Sequence, residues 1–78
     1  MKQIQVLTFG VIVDITGKRN FMMNDIDSTE ALVKILEEQY PLLKTLQYAI
    51  AVDKEVIQQH KSLNNNSIVA ILPPFSGG

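Results

Sequence analysis

The chain contains no cysteine. Disulfide staples, thiolate metal ligands and thiol nucleophiles are therefore excluded together. Tryptophan is absent and histidine occurs once, at His60. Catalysis of the Ser-His type would need that histidine beside a serine and an orienting acid. Its place next to Lys61 in a polar stretch reads instead as a solvated loop. No basic run exceeds the pair Lys18-Arg19 and the formal charge is only −1, a poor footing for nucleic-acid binding, which normally shows a basic face. No stretch approaches the roughly eighteen apolar residues of a membrane span. The opening MKQIQVLTF lacks the continuous apolar core of a secretion signal. Neither GxxxxGK[ST] nor GxGxxG occurs, so no nucleotide cradle is encoded. Asp14, Asp25 and Asp27 are too scattered to hold a metal. These absences predict a cytoplasmic protein with no bound cofactor or metal and no nucleic-acid or membrane partner.

What remains is the pattern of a small folded domain. Seventy-eight residues fit one domain that buries about 60% of its unfolded surface, and 46% apolar content argues against disorder. Residues 2–9 alternate as a strand, with Ile4, Val6 and Thr8 on one face and Leu7 and Phe9 on the other. Gly10 breaks the run, and VIVDI after it reads as either strand or a short helical turn. Gly17 to Asn20 is a turn, and FMM at 21–23 a second strand with one of Met22 and Met23 in the core. Asp27-Ser28-Thr29-Glu30 fits a capping box on Asp27, with Ser28 as alternative cap. Leu32, Ile35, Leu36 and Tyr40 make one apolar stripe along a helix over 28–40, which Pro41 stops. Tyr40 reads as packed at the helix end. Leu42, Leu43 and Leu46 form a compact turn. Strands follow over 48–53, over Glu55-Val56-Ile57 after a reversal at Asp53-Lys54, and over 67–72. Leu63 anchors the loop before the turn Asn64-Asn65-Asn66. The order β, β, α, β, β, β predicts an α+β domain with a mixed sheet curved around one main helix. The last strand joins the first in parallel at the centre. That is a β-grasp, the ubiquitin-like architecture, over residues 1–72.

Residues 73–78 have another character. Pro73 and Pro74 cannot donate ladder hydrogen bonds, so they end the sheet and stiffen the exit. Two prolines favour an extended path away from the domain. Phe75 is displayed without a core to bury it, and Ser76-Gly77-Gly78 is thin, its last two residues lacking any side chain and so able to pass a channel that rejects a Cβ. From Pro74 to Gly78 the extended chain reaches on the order of 16 Å. The chemistry it can carry is that of a carboxylate, inert until activated as an acyl-adenylate. With no nucleotide motif in the chain, the activating enzyme must be a separate partner. A terminus merely frayed by glycine is the bland alternative.

The stretches IQVLTFG with ITG, STEALVKILEEQYPLL, AIAVDKEVI and NNNSIVAILPPFSGG together resemble the small-subunit family of molybdopterin synthase, the ubiquitin-like sulfur carriers of molybdenum cofactor synthesis. The double proline with Ser-Gly-Gly is the most specific of these elements. The resemblance implies a non-catalytic carrier subunit within a heterotetrameric synthase. An activating enzyme similar to the ubiquitin E1 class adenylates Gly78 with ATP, and a sulfur donor system converts it to a thiocarboxylate. The tail then enters the large synthase subunit and gives sulfur to cyclic pyranopterin monophosphate, two rounds building the dithiolene. In that scheme Gly77 and Gly78 give steric passage. Pro73, Pro74, Phe75 and Ser76 set the trajectory and dock at the mouth of the pocket, and Phe9 is a core or interface aromatic. The chain departs from the family at Phe75, where valine is commoner, at Gly10 and Val11, which open the short helix, and at Val13, a place often basic.

Three rivals stay open. The thiamine-pathway sulfur carrier shares the diglycine and the activation logic but usually lacks the double proline. The carrier for tRNA thiolation that also conjugates to proteins is usually longer and ends differently. A plain interaction module would keep its function without Gly78. For a partner interface the expected surface is the sheet face near the first and last strands, with Leu7, Phe9, Ile71 and Leu72 as candidates.

Overall fold

Strand alternation decides the architecture. In the computed structural model, which describes residues 2–74, β1 (Gln3–Thr8) turns Ile4, Val6 and Thr8 inward and leaves Gln3, Gln5 and Leu7 on the other face. β2 (Asn20–Asn24) runs antiparallel to it, with Ile4 opposite Met23 and Val6 opposite Phe21. Met23 therefore packs against the core while Met22 lies exposed on the opposite face. β3 (Ala49–Val52), β4 (Glu55–Ile57) and β5 (Ile68–Leu72) complete a five-stranded sheet in the order β2-β1-β5-β3-β4. β5 is parallel to β1 and antiparallel to β3, so the last strand lies at the sheet's centre. This mixed sheet on helices is the β-grasp, ubiquitin-like fold that the strand order predicts.

The helices close one face only. The ambiguous VIVDI segment is helical: α1 (Val11–Thr16) buries Ile12 completely and ends at Gly17, whose φ of 75° suits a left-handed cap. Thr8 and Thr16 both donate their hydroxyls to the carbonyl of Lys18, tying α1 to the turn before β2. The first two strands are thus an antiparallel pair with a helix inserted between them. α2 (Thr29–Gln39) is slightly shorter than its apolar stripe suggested. Its cap is Ser28, not Asp27. The Ser28 hydroxyl accepts from the Ala31 N–H at 3.2 Å, whereas the Asp27 carboxylate lies 3.8 Å from Lys2 Nζ. Pro41 opens a short 3-10 segment, Pro41–Thr45, that buries Leu43.

The core gathers Ile4 and Val6 of β1, Val69 and Ile71 of β5, and Ile50 and Val52 of β3 against Leu32 and Leu36 of α2. Ile12, Ile26, Leu43 and Leu63 fill its edges. Leu63 is fully buried, as its isolation among polar residues suggested. Ile26 is likewise isolated and buried, and was passed over because the stretch 24–28 reads as polar. At about 1.5–3 kcal/mol for each large aliphatic side chain buried, this one layer is the main force holding the sheet to the helices.

Candidate functional site

β5 carries two different faces because a strand alternates its side chains. Val69 and Ile71 point into the core, and Ile68, Ala70 and Leu72 point the other way. Leu7 and Phe9 stand beside them on β1 and just past its end. Phe9 is 45% exposed and Ile68 39% exposed, so among the described residues nothing covers this side of the sheet. A depression of about 410 Å³ opens there, lined by Leu7, Phe9, Asp53, Lys54, Ile68, Ala70 and Leu72. Its floor is apolar, and its only charged lining comes from Asp53 and Lys54 at the β3–β4 turn.

Three of the four residues expected on a partner surface share this depression: Leu7, Phe9 and Leu72. The fourth does not. Ile71 is 1% exposed and packs in the core, because it falls one position out of phase with Leu72. Phe9 is not a core residue. Ile68 and Ala70 belong to the same face and were missed, although the period-two count from Leu72 places them there.

The chain leaves this face at Pro73. The β1–β5 ladder pairs Gln5 with Ile68 through Thr8 with Ile71, and the strand ends at Leu72. Pro73 is half-buried and Pro74 exposed. Asp53 fixes the other end of β5: its backbone N–H donates to the Ile68 carbonyl at 2.8 Å and its carboxylate accepts from the Ile68 N–H at 2.9 Å. Phe75, Ser76, Gly77 and Gly78 lie outside the described residues.

The remaining polar groups are structural in their placement. His60 Nδ1 lies 3.0 Å from the Thr29 hydroxyl, which also accepts from the Lys61 N–H at 2.9 Å, pinning the loop before β5 to the start of α2. His60 is itself exposed. Tyr48 and His60 line a smaller depression of about 250 Å³ on another side of the domain. Tyr40 packs against the core at the end of α2. Among the described residues no group of three or more His, Asp or Glu side chains is placed to hold a metal ion. Nor is any helix among them long and apolar enough to cross a membrane.

The chain is similar to known proteins in both sequence and fold. The sequence pattern of the ThiS family matches residues 6–78. A molybdopterin synthase sulfur carrier subunit from Dictyostelium discoideum is 30% identical over 83 aligned residues, covering 97% of this chain and 96% of that protein. The solved complex of subunits 1 and 2 of the molybdopterin-converting factor from Helicobacter pylori contains a chain 29% identical, with a TM-score of 0.74 and coverage of 97% of this chain and 99% of that one. Small archaeal modifier protein 1 from Methanosarcina acetivorans superposes with a TM-score of 0.83 at 19% identity, covering 100% of this chain and 98% of that one, which shows a common fold. The chain belongs to the ThiS family, among the ubiquitin-like sulfur carriers.

Proposed function

We propose that the chain is the sulfur-carrier subunit of a molybdopterin synthase, working in the cytoplasm, with Gly78 as its reacting residue. The observation that carries the reading is the open apolar face formed by Leu7, Phe9, Ile68, Ala70 and Leu72, adjoining the place where the central strand gives way to Pro73. A partner seated on that face is positioned to receive whatever the chain end carries. The Dictyostelium relative supports the pathway, and the Helicobacter pylori complex supports a second subunit as partner. In this reading the domain catalyses nothing. It is a handle recognised first by an activating enzyme and then by the large subunit.

The chemistry balances in three steps. The Gly78 carboxylate attacks the α-phosphate of ATP on an E1-like adenylating enzyme, giving acyl-adenylate and pyrophosphate. Sulfur at the sulfide oxidation level, delivered by a donor system, displaces AMP and leaves a thiocarboxylate. On the large subunit that sulfur passes to cyclic pyranopterin monophosphate, and water restores the carboxylate. A second loaded carrier supplies the other sulfur of the dithiolene. Pro73 and Pro74 direct the segment, Phe75 and Ser76 meet the pocket mouth, and Gly77 and Gly78 pass where a side chain would not.

Intact-mass spectrometry with fragmentation tests the reading. The protein is incubated with ATP, the adenylating enzyme and a sulfur source. One oxygen is replaced by sulfur at Gly78, reactive toward alkylation, and localisation separates it from oxidation of the three methionines. Addition of the large subunit and the pyranopterin discharges it. An unmodified Gly78, while a control carrier turns over in the same mixture, overturns the proposal. A loaded Gly78 that discharges only toward the thiazole precursor assigns the chain to the thiamine pathway instead.

A further inference from the structure

We infer that Gly10 is the seat on which Pro73 rests, and that this contact sets the direction in which the chain leaves the sheet. The inference builds on the carrier reading and makes Gly10 a positioning residue for the Gly78 chemistry. Gly10 has φ 58° and ψ −134°, a conformation open in practice to glycine alone. A Cβ at that position would come within 3.0 Å of Pro73 Cγ and 3.5 Å of Pro73 Cβ. A side chain there would press on the proline ring, which would have to give by a few tenths of an ångström.

The place of the contact gives it its consequence. The parallel ladder ends at Thr8 opposite Ile71. Counting on in the same register sets Phe9 opposite Leu72 and Gly10 opposite Pro73. Proline has no N–H to donate to the ladder, so the donor half of the pairing is lost at residue 73. Ring-on-glycine packing takes over there, two positions past the last paired residues. Gly10 is itself anchored: its carbonyl accepts from the Val13 N–H at 3.0 Å, and the Phe9 carbonyl accepts from the Ile12 N–H at 3.1 Å. The first turn of α1 thus forms a fixed abutment. With Pro73 held there, the direction in which the chain leaves the sheet is fixed at its base, and on the carrier reading that direction governs how Gly78 is presented to the transfer reaction. Such reactions lose rate steeply when a reacting group is misplaced by about 1 Å.

Two measurements test this. In the free protein, nuclear Overhauser contacts between the Gly10 α-protons and the Pro73 ring protons are expected, and their absence overturns the seat. The second is a double-mutant cycle of Gly10→Ala and Pro73→Gly, read as the rate of sulfur transfer on the large subunit, the affinity for that subunit and the melting temperature. Backbone strain at residue 10 lowers melting in both backgrounds alike and cancels from the cycle. Gly10→Ala is expected to slow transfer about 10-fold when Pro73 is present, and no more than about 2-fold in the Pro73→Gly background, with affinity held within about 2-fold. Equal slowing in both backgrounds, or none, overturns the positioning role. If the wild-type chain acquires no sulfur, the carrier reading and the positioning role fail together, while the Overhauser contacts still report the seat.

Discussion

The Tyr48 hydroxyl donates to the Glu37 carboxylate at 2.7 Å across the gap between α2 and the start of β3. Burial, reinforced by that bond and by the nearby negative charge, pushes the phenol above its ordinary value. The folded state therefore holds the proton more tightly than the unfolded chain, whose tyrosine titrates near pH ~10. Stability from this group is complete below that pH and declines as pH rises above it, because only the unfolded state gains by ionising. Tyr48→Phe is expected to cost about 1 kcal/mol at neutral pH and to flatten the decline in melting temperature above pH ~10. A mutant that keeps the wild-type slope would show that another group controls the alkaline limb. At this scale the sequence was a partial guide. Alternation sorted Leu7 from Val6, but Ile71 was grouped with Leu72 although adjacent strand residues face opposite ways. The choice between Asp27 and Ser28 as cap depended on a one-residue offset that composition does not encode.

Among the elements, the β3–β4 turn carries Lys54, which among the described residues with positive φ is the one that is not Gly, Asn or Asp. Asp53 and Lys54 both have positive φ, 49° and 77°, the pattern of a two-residue hairpin turn that favours Asp-Gly. Lysine there pays roughly 1–2 kcal/mol, partly offset because glycine would add about 0.5–1 kcal/mol of unfolded-chain freedom. Lys54→Gly is expected to gain about 0.5 kcal/mol, raising the melting temperature by about 2–4 °C. A fall in melting temperature would mean that the lysine side chain contributes more than its backbone costs. Strand order, the long helix and the central parallel pair were legible because each rests on many residues of consistent period. α1 was not decided, since Val and Ile suit strand while only the surrounding contacts, chiefly the complete burial of Ile12, favour helix. Of the open apolar face, Leu7, Phe9 and Leu72 were legible and Ile68 and Ala70 were not. Gly10 was read as a strand breaker, and its contact with Pro73 joins positions too distant in sequence for local patterns to connect.

For the whole molecule, the sheet has two unlike faces, one packed against the helices and one open, which the proposed function divides between stability and partner binding. Ile71→Ala, on the helix-covered face, is expected to cost about 2–5 kcal/mol of stability. Phe9→Ala, on the open face, is expected to melt near the wild-type temperature. It should nevertheless weaken binding to the large subunit by about 2 kcal/mol, roughly thirtyfold. Chemical denaturation and titration calorimetry on both variants measure the two effects; a large stability loss for Phe9→Ala with unchanged affinity would remove the open face from the proposed interface. The central position of β5 has a further consequence, for the order of events during synthesis. β1 emerges from the ribosome first, yet its parallel neighbour is the last strand made, and long-range pairing of this kind waits for the distant segment. A nascent chain halted before Ile68 exposes both β1 and β3 along the edges that β5 would join. Such a fragment is a substrate for chaperones and proteases. Completion of the sheet waits for β5, so under the proposed function an activating enzyme that recognises the folded face would meet only chains whose β5 has been translated.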